Sequence, residues 1–299
     1  MSSLTIETAV VLQTSGLKRH YGRHPAVDGI DLQVRQGEIY GFLGINGAGK
    51  TTTIRMLMGI IAAQAGSITI FCQKTRRTTV SLKRDIGYVS QDQNFYPWMT
   101  CEKLGRFVGS FYPTWETKEF FRLLEVFEIP RARKVSQLSG GMKAKLGLAL
   151  AITPKPKLLI LDEPTAGLDP VARRDFLDII VSQARTASRT TFFSSHLIDE
   201  VERCADRIGI IHAGKMRFQG PLSQLREEVR RVRFRGELPS MGPMFEFWQE
   251  RKKDDQVIQT FRATCSAWQE LQLPPEATIE SLSLEDIFLA CVGSRSLNL

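Results

Sequence analysis

One stretch, Gly44-Ile45-Asn46-Gly47-Ala48-Gly49-Lys50-Thr51, constrains this chain more than any other. It follows Glu38-Ile39-Tyr40-Gly41-Phe42-Leu43, a short apolar run that reads as a buried strand, and precedes Thr52-Thr53-Ile54-Arg55-Met56-Leu57-Met58, which reads as a helix. Strand, glycine-rich loop and helix form the setting in which consecutive backbone N–H groups turn inward around an anion. Glycine permits the turn, and the helix N-terminus adds partial positive charge. Gly44, Asn46, Gly47, Ala48, Gly49, Lys50, Thr51 and Thr52 are then the phosphate-lining positions. Lys50 can reach the β- and γ-phosphates of a nucleotide, and the Thr51 hydroxyl can ligate Mg²⁺.

A loop of this kind needs a parallel sheet behind it, and the chain supplies one. Asp85-Ile86-Gly87-Tyr88-Val89, Leu158-Leu159-Ile160-Leu161-Asp162 and Thr190 to Ser194 read as short buried strands. Helices alternate with them, from Gly140 to about Ile152 behind a Ser139 cap, and from Pro170 to about Ala187 behind Asp169. Such alternation implies an α/β sheet with its ligand at the carboxyl ends of the strands. Residues 9–35 read as two strands around a turn at Tyr21 to Pro25, Ser67 to Phe71 as another strand, and Thr100 to Arg133 as two helices separated by Pro113. Leu197 to Cys204 reads as a helix, and Arg207 to Ile211 with Lys215 to Gln219 as a hairpin.

The register changes after the short helix that opens at Pro221. Arg231-Val232-Arg233-Phe234-Arg235 alternates strictly, Gln256 to Phe261 looks like its partner strand, and Leu282 to Val292 reads as a closing helix with Leu284, Ile287, Phe288 and Cys291 inward. We divide the 299 residues into residues 1–225, containing a helical subdomain at about 92–153, and a small α+β domain at 226–299.

Composition excludes several classes. The five cysteines are scattered without CxxC spacing, which argues for reduced thiols over a disulfide framework or a zinc site. No apolar run is long enough to cross a bilayer, and Met1 to Leu12 lacks the pattern of a secretory signal. The chain is therefore expected in the cytoplasm or held on the cytoplasmic face of a membrane by a partner. The net charge of +8 fits a solvated basic surface, contact with anionic lipid, or nucleic acid, in that order. Arg231, Arg233 and Arg235 are open to the same readings, with a solvated strand face first.

Four further motifs follow the loop. Leu138-Ser139-Gly140-Gly141-Met142-Lys143 comes first, then Leu158-Leu159-Ile160-Leu161-Asp162-Glu163-Pro164-Thr165, Ala166-Gly167-Leu168-Asp169 and Ser194-Ser195-His196. Tyr21 lies upstream, and Gln91 ends the strand at Val89. In order and approximate spacing, these stretches resemble the nucleotide-binding subunit of ATP-binding cassette (ABC) transporters over about residues 9–220. The resemblance implies a P-loop NTPase cassette of the α/β class, with a parallel core sheet, an antiparallel β subdomain and a helical subdomain. Ser283-Leu284-Glu285-Asp286-Ile287-Phe288-Leu289 looks like the closing helix of the drug- and polysaccharide-exporter type.

The resemblance also implies roles. The cofactors are ATP and Mg²⁺. Asp162 holds Mg²⁺ directly or through water, beside Thr51, and Gln91 reaches the metal or the attacking water. Glu163 polarises that water and His196 orients it against the γ-phosphate, with Lys50 completing the catalytic set. Tyr21 stacks on adenine or packs in the core. Ser139, Gly140 and Gly141 make a second anion-binding helix start, which in the family closes over the ATP of the opposite subunit. Asp169 crosses the same interface. The partners implied are a second cassette, expected to be a copy of this chain, and an integral-membrane subunit on a separate chain. The aromatic loop Phe95-Tyr96-Pro97-Trp98 can anchor that subunit, or pack internally. Met142 and Lys145 replace the Gln and Arg usual in the family's signature helix, and activity is expected to survive both. The expected function is ATP hydrolysis that powers an exporter. A soluble cassette acting on the ribosome or DNA is the alternative, disfavoured by the single cassette and short insertion, so no nucleic-acid partner is expected.

Overall fold

The computed structural model describes residues 9–75, 79–187, 189–235, 241–253 and 256–293. Much of the stretch examined for a secretory signal lies outside them. Contacts divide the chain into two units, Met1–Met216 and Arg217–Leu299, upstream of the boundary expected at 225/226.

The first unit begins with β1 (Val10–Tyr21) and β2 (His24–Arg35), which pair antiparallel as far as Tyr21 and His24, so the turn is tighter than the five residues expected. Then come β3 (Ile39–Leu43), α1 (Lys50–Leu57), β4 (Ala65–Ile70), β5 (Gln73–Thr75), α2 (Val80–Arg84) and β6 (Ile86–Val89). The helical stretch holds α3 (Cys101–Gly109), α4 (Thr117–Val126) and α5 (Gly140–Ile152). The core closes with β7 (Leu158–Asp162), α6 (Pro170–Ala187), β8 (Thr190–Ser195), α7 (Ile198–Cys204) and β9 (Arg207–His212), and β10 (Lys215–Pro221) spans the 216/217 boundary.

Two sheets result, an antiparallel one ordered β2-β1-β4-β5 and a six-stranded one ordered β10-β9-β3-β8-β7-β6. The run from β9 to β6 is parallel. Every residue of β3 and β7 is buried, so both strands are near-continuous apolar runs instead of alternating, broken only by the Asp162 that ends β7. Burying each Leu or Ile of β7 contributes about 1.5–3 kcal/mol. Register aligns the strand ends: Leu43 lies opposite Ser195, and Asp162 opposite Ser194. Gly44, Glu163 and His196 therefore leave the sheet side by side.

The second unit contains α8 (Leu222–Glu228), β11 (Val229–Arg235), β12 (Glu246–Lys253), β13 (Gln256–Arg262), α9 (Cys265–Glu270), β14 (Thr278–Ser281) and α10 (Leu284–Val292). Its sheet is ordered β12-β13-β11-β14 around Val232, Phe234, Phe261 and Trp268. In α10, Leu284, Ile287 and Phe288 are buried as expected, but Ala290 takes the inner position and Cys291 is only half-buried. The arginine face of β11 also differs from a solvated stripe. Arg231 lies 3.1 Å from Asp286 and Arg233 2.8 Å from Glu280. Those acids come from α10 and from β14, a strand with no clear pattern in the sequence, and Arg235 alone of the three is exposed.

Candidate functional site

The loop after β3 is shaped by glycine at two left-handed positions, Gly47 at φ 79° and Gly49 at φ 110°. A Cβ at Gly49 would lie 2.3 Å from the Ala26 carbonyl oxygen, so no other residue fits there. Asn46 and Gly47 are exposed, whereas Gly44, Ala48 and Gly49 are buried, and Thr51 and Thr52 sit half-buried in the first turn of α1. That turn carries no acidic residue, which leaves the positive end of the helix uncompensated. Lys50 is 4% exposed and donates to the carbonyl oxygens of Gly44 at 2.7 Å and Ile45 at 3.1 Å. Its Nζ also lies 2.9 Å from Glu163 Oε1.

Two carboxylates at the end of β7 face this loop. Asp162 Oδ1 accepts from Thr51 Oγ1 at 3.1 Å and from Ser194 Oγ at 3.0 Å. The same Ser194 oxygen accepts the Glu163 backbone N–H at 3.0 Å, so one hydroxyl ties both acids to β8. Glu163 takes φ 44°, a left-handed conformation that costs a β-substituted residue about 1–3 kcal/mol. The turn lets its side chain bridge the site, with Oε1 on Lys50 and Oε2 2.9 Å from His196 Nδ1. With Glu163 ionised, Nδ1–H is the donor, which leaves Nε2 for a second partner. Lys50, Thr51, Asp162, Glu163 and His196 thus form one connected cluster.

Burial pushes the Asp162 carboxyl above its ordinary range, hydrogen bonds from Ser194 and Thr51 pull it back, and the Glu163 charge pushes it up again. Ser194→Ala removes one of the groups that favour the ionised form. The acid limb of the ATPase pH profile is expected to move to higher pH in that variant, and an unmoved limb would take Ser194 out of this role.

Behind the cluster lies Glu200, a 2% exposed carboxylate at the start of α7. It accepts from Thr165 Oγ1 at 2.5 Å and Ser195 Oγ at 2.6 Å, and lies 3.4 Å from Arg173 Nε. Ser195 Oγ in turn accepts the Leu197 N–H at 2.9 Å. The segments carrying Glu163 and His196 are therefore fastened to each other and to α6. Neither Ser194 nor Glu200 stood out as a site residue in the sequence. Ser194-Ser195 beside His196 was the available signal, since hydroxyls at a buried strand end need partners.

Other expected residues lie apart. Ser139 caps α5 by accepting the Met142 N–H at 3.2 Å, Ser139 and Gly140 are exposed, and Gly141 is half-buried with its Cβ position 3.1 Å from Ala172 Cβ. Among the described residues, no hydrogen bond or ion pair joins Ser139, Gly140 or Gly141 to the Lys50 cluster. Asp169 caps α6, accepting from Val171 and Ala172 N–H at 3.0 and 2.9 Å. Gln91 is exposed just beyond β6, and among the described residues no hydrogen bond joins it to Asp162 or Thr51. Tyr21 is 46% exposed at the hairpin tip, which closes the core alternative, and the Arg19 guanidinium lies 5.2 Å from its ring centroid.

A phosphate loop, paired acids on the neighbouring strand end and a separate glycine-flanked helix start define a P-loop ATPase cassette. A family model described as "ABC transporter" matches residues 27–166. The chain is 37% identical over 225 residues to the bacitracin transport ATP-binding protein BcrA of Bacillus licheniformis, covering 75% of this chain and 74% of that one. It is 38% identical over 211 residues to the linearmycin resistance ATP-binding protein LnrL of Bacillus subtilis (strain 168), covering 69% and 68%. A solved structure titled as the ATP-binding subunit of an ABC transporter superposes with a TM-score of 0.65 at 28% identity, covering 72% of this chain and 92% of that one. The chain belongs to the ABC transporter ATP-binding family, and it is an ATPase cassette of that family.

Proposed function

We propose that this chain powers an exporter by closing head to tail on a second copy of itself around two ATP molecules. The observation that carries the reading is the separation within one chain. Lys50, Glu163 and His196 are joined through hydrogen-bonding contacts, while among the described residues the Ser139 helix start makes no bond to them. Two anion-binding helix starts in one chain are best used on two nucleotides. In the closed pair, Ser139, Gly140 and Gly141 of one copy cover the γ-phosphate held by Gly44 to Thr52 of the other, and Asp169 crosses the same boundary.

Within each half, Lys50 exchanges its carbonyl partners for the β- and γ-phosphates, and Tyr21 stacks on adenine with Arg19 behind it. Glu163 takes the proton of the attacking water, His196 orients that water, and Gln91 reports the γ-phosphate. Thr51 and Asp162 suit Mg²⁺: they present hard oxygen donors 3.1 Å apart at the phosphate loop. Bound there, Mg²⁺ supplies charge neutralisation on the phosphates.

Export is supported by the relatives named for bacitracin transport and linearmycin resistance. A separate membrane subunit is supported by the helical subdomain's surface. Trp98, Tyr96, Phe107 and Phe111 form a chain of ring contacts, tilted and then edge to face, at 5.3, 5.6 and 5.4 Å, and all are exposed. Beside them runs a groove lined by Tyr88, Asp92, Asn94, Phe95 and Tyr112. Aromatic anchors rimming a groove suit a helix from a partner. No helix among the described residues is long and apolar enough to cross a membrane, consistent with a peripheral place on the cytoplasmic face. The unit Arg217–Leu299 is the accessory domain of this reading, and its exposed Arg235 is the position left for anionic lipid.

Isolating the protein from membranes with its accompanying polypeptide tests the class. A multi-span partner is expected, and Trp98→Ala is expected to loosen it while leaving basal ATPase activity intact. Co-isolation with ribosomes would overturn the reading.

A further inference from the structure

We propose a second ligand site at the opposite end of the central strands, a cavity of about 580 Å³ that takes a small organic anion with a short apolar body. It lies where the antiparallel sheet, α4, the link from α5 to β7, and the end of α6 converge, and Arg189, Gln183, Lys157, Phe71 and Leu123 are among its walls. Its volume is within the range that holds drug-sized molecules.

Arg189 carries the argument. The residue is 8% exposed, yet among the described residues no carboxylate lies within ion-pair distance of it. Its Nε donates to the Pro156 carbonyl at 3.1 Å and its Nη1 to Gln183 Oε1 at 3.4 Å, both uncharged acceptors. A guanidinium has five donors, and a buried charge without a counter-ion is costly to keep. Burial accordingly lowers the Arg189 pKa, with no opposing acid.

The neighbouring acids are engaged elsewhere. Glu119, the acid of the lining, is held by Arg122 Nε at 2.8 Å and Nη2 at 2.6 Å. Glu116 is 2.5 Å from Lys155, and Asp85 is 3.3 Å from Lys157. The cavity is thus electropositive, with Arg189 the uncompensated charge within it. The other walls include the polar Gln36 and Thr190 and the apolar Val11, Leu123 and Ile152, these three each at least nine-tenths buried, while the Phe71 ring is half-buried. A bare inorganic ion would satisfy the arginine and leave the half-buried Phe71 ring uncovered. An anion carrying a short hydrocarbon body satisfies both.

The site is separate from the nucleotide cluster. β7 begins beside the cavity at Leu158 and ends at Asp162, and β8 begins there at Thr190 and ends at Ser195. An occupant would meet the strands that carry the catalytic acids at their other ends.

Calorimetric titration tests this, using the full chain with its phosphate loop filled by a non-hydrolysable ATP analogue, at constant ionic strength. The probes are hexanoate, hexyl phosphate and hexanol. At least one anion is expected to bind with a stoichiometry of one, with hexanol roughly tenfold or more weaker, and the tighter anion identifies the head group as carboxylate or phosphate. Arg189→Gln is expected to abolish binding. Because that change also removes the Pro156 bond, Gln183→Glu provides an independent arm. It places a carboxylate beside Arg189, and is expected to block the anion while raising the melting temperature. Absence of anion binding, equal binding of hexanol, or unchanged binding in both variants would overturn the site.

Discussion

Glu163→Gln is expected to bind ATP with near wild-type affinity and to turn it over about 10²–10⁴-fold more slowly. The amide keeps the size of the side chain, and its oxygen can accept from Lys50 while its NH2 donates to His196 Nδ1 in the other tautomer, so the cluster at 2.9 Å on either side remains filled. What it loses is basicity. The glutamate is held in a left-handed turn, 8% exposed, with its two oxygens divided between a lysine and a histidine. That posture serves a proton acceptor whose position must be maintained, and Ser194 reinforces it through the backbone N–H of the same residue. Phosphate release measured against nucleotide binding separates the two effects. Turnover equal to wild type would remove Glu163 as the base.

Lys50→Ala is expected to cost roughly 10²–10³-fold in nucleotide affinity, from two charge-assisted phosphate contacts worth about 1.5–3 kcal/mol each, less the cost of rearranging the site. The lysine is buried and fixed before any ligand arrives, held by two carbonyls and Glu163. Little side-chain entropy is then lost when it turns to a phosphate. Its removal also leaves Glu163 half-paired in a buried setting, so the free protein loses stability alongside affinity. A direct binding assay that returned wild-type affinity would contradict the assignment of the loop.

How much of this was legible depends on the kind of signal each element carries. β3 and β7 are unbroken apolar runs ended by a glycine loop and an acid, and α5 and α6 begin with Ser139 and with Asp169-Pro170, so their positions followed from the residues. β5 had no such signal, because the turn before it is made by Phe71 and Cys72 at φ 49° and 63°, residues that rarely mark a left-handed turn. β12 is mostly charged and β14 is four residues, Thr278–Ser281, three of them exposed. Both exist because β13 and β11 lie beside them, a long-range effect that local pattern cannot carry. The same holds for the arginines of β11, whose acidic partners arrive from β14 and α10.

The candidate site divides along similar lines. The loop could be read by itself. The assembly of Asp162, Glu163 and His196 around Lys50 follows from strand order, since β8 lies beside β3 and β7 beside β8, which brings the three strand ends together. The sequence carried the residues and the family resemblance carried the order. Neither indicated that one serine hydroxyl would join both acids, or that Glu200 would fasten the segments carrying Glu163 and His196 from behind. Those roles depend on side chains from different strands meeting in a buried layer.

The central claim is that one chain holds half of each site. The direct test is the mass of the Glu163→Gln protein in solution by light scattering, with ATP and then with ADP. With ATP the mass is expected to rise from that of one chain to that of two, and with ADP to return to one. Adding Ser139→Glu, which sets a negative charge at the helix start meant for the partner's γ-phosphate, is expected to hold the protein at one chain even in ATP. A Glu163→Gln protein that binds ATP fully and remains a single chain would contradict the account.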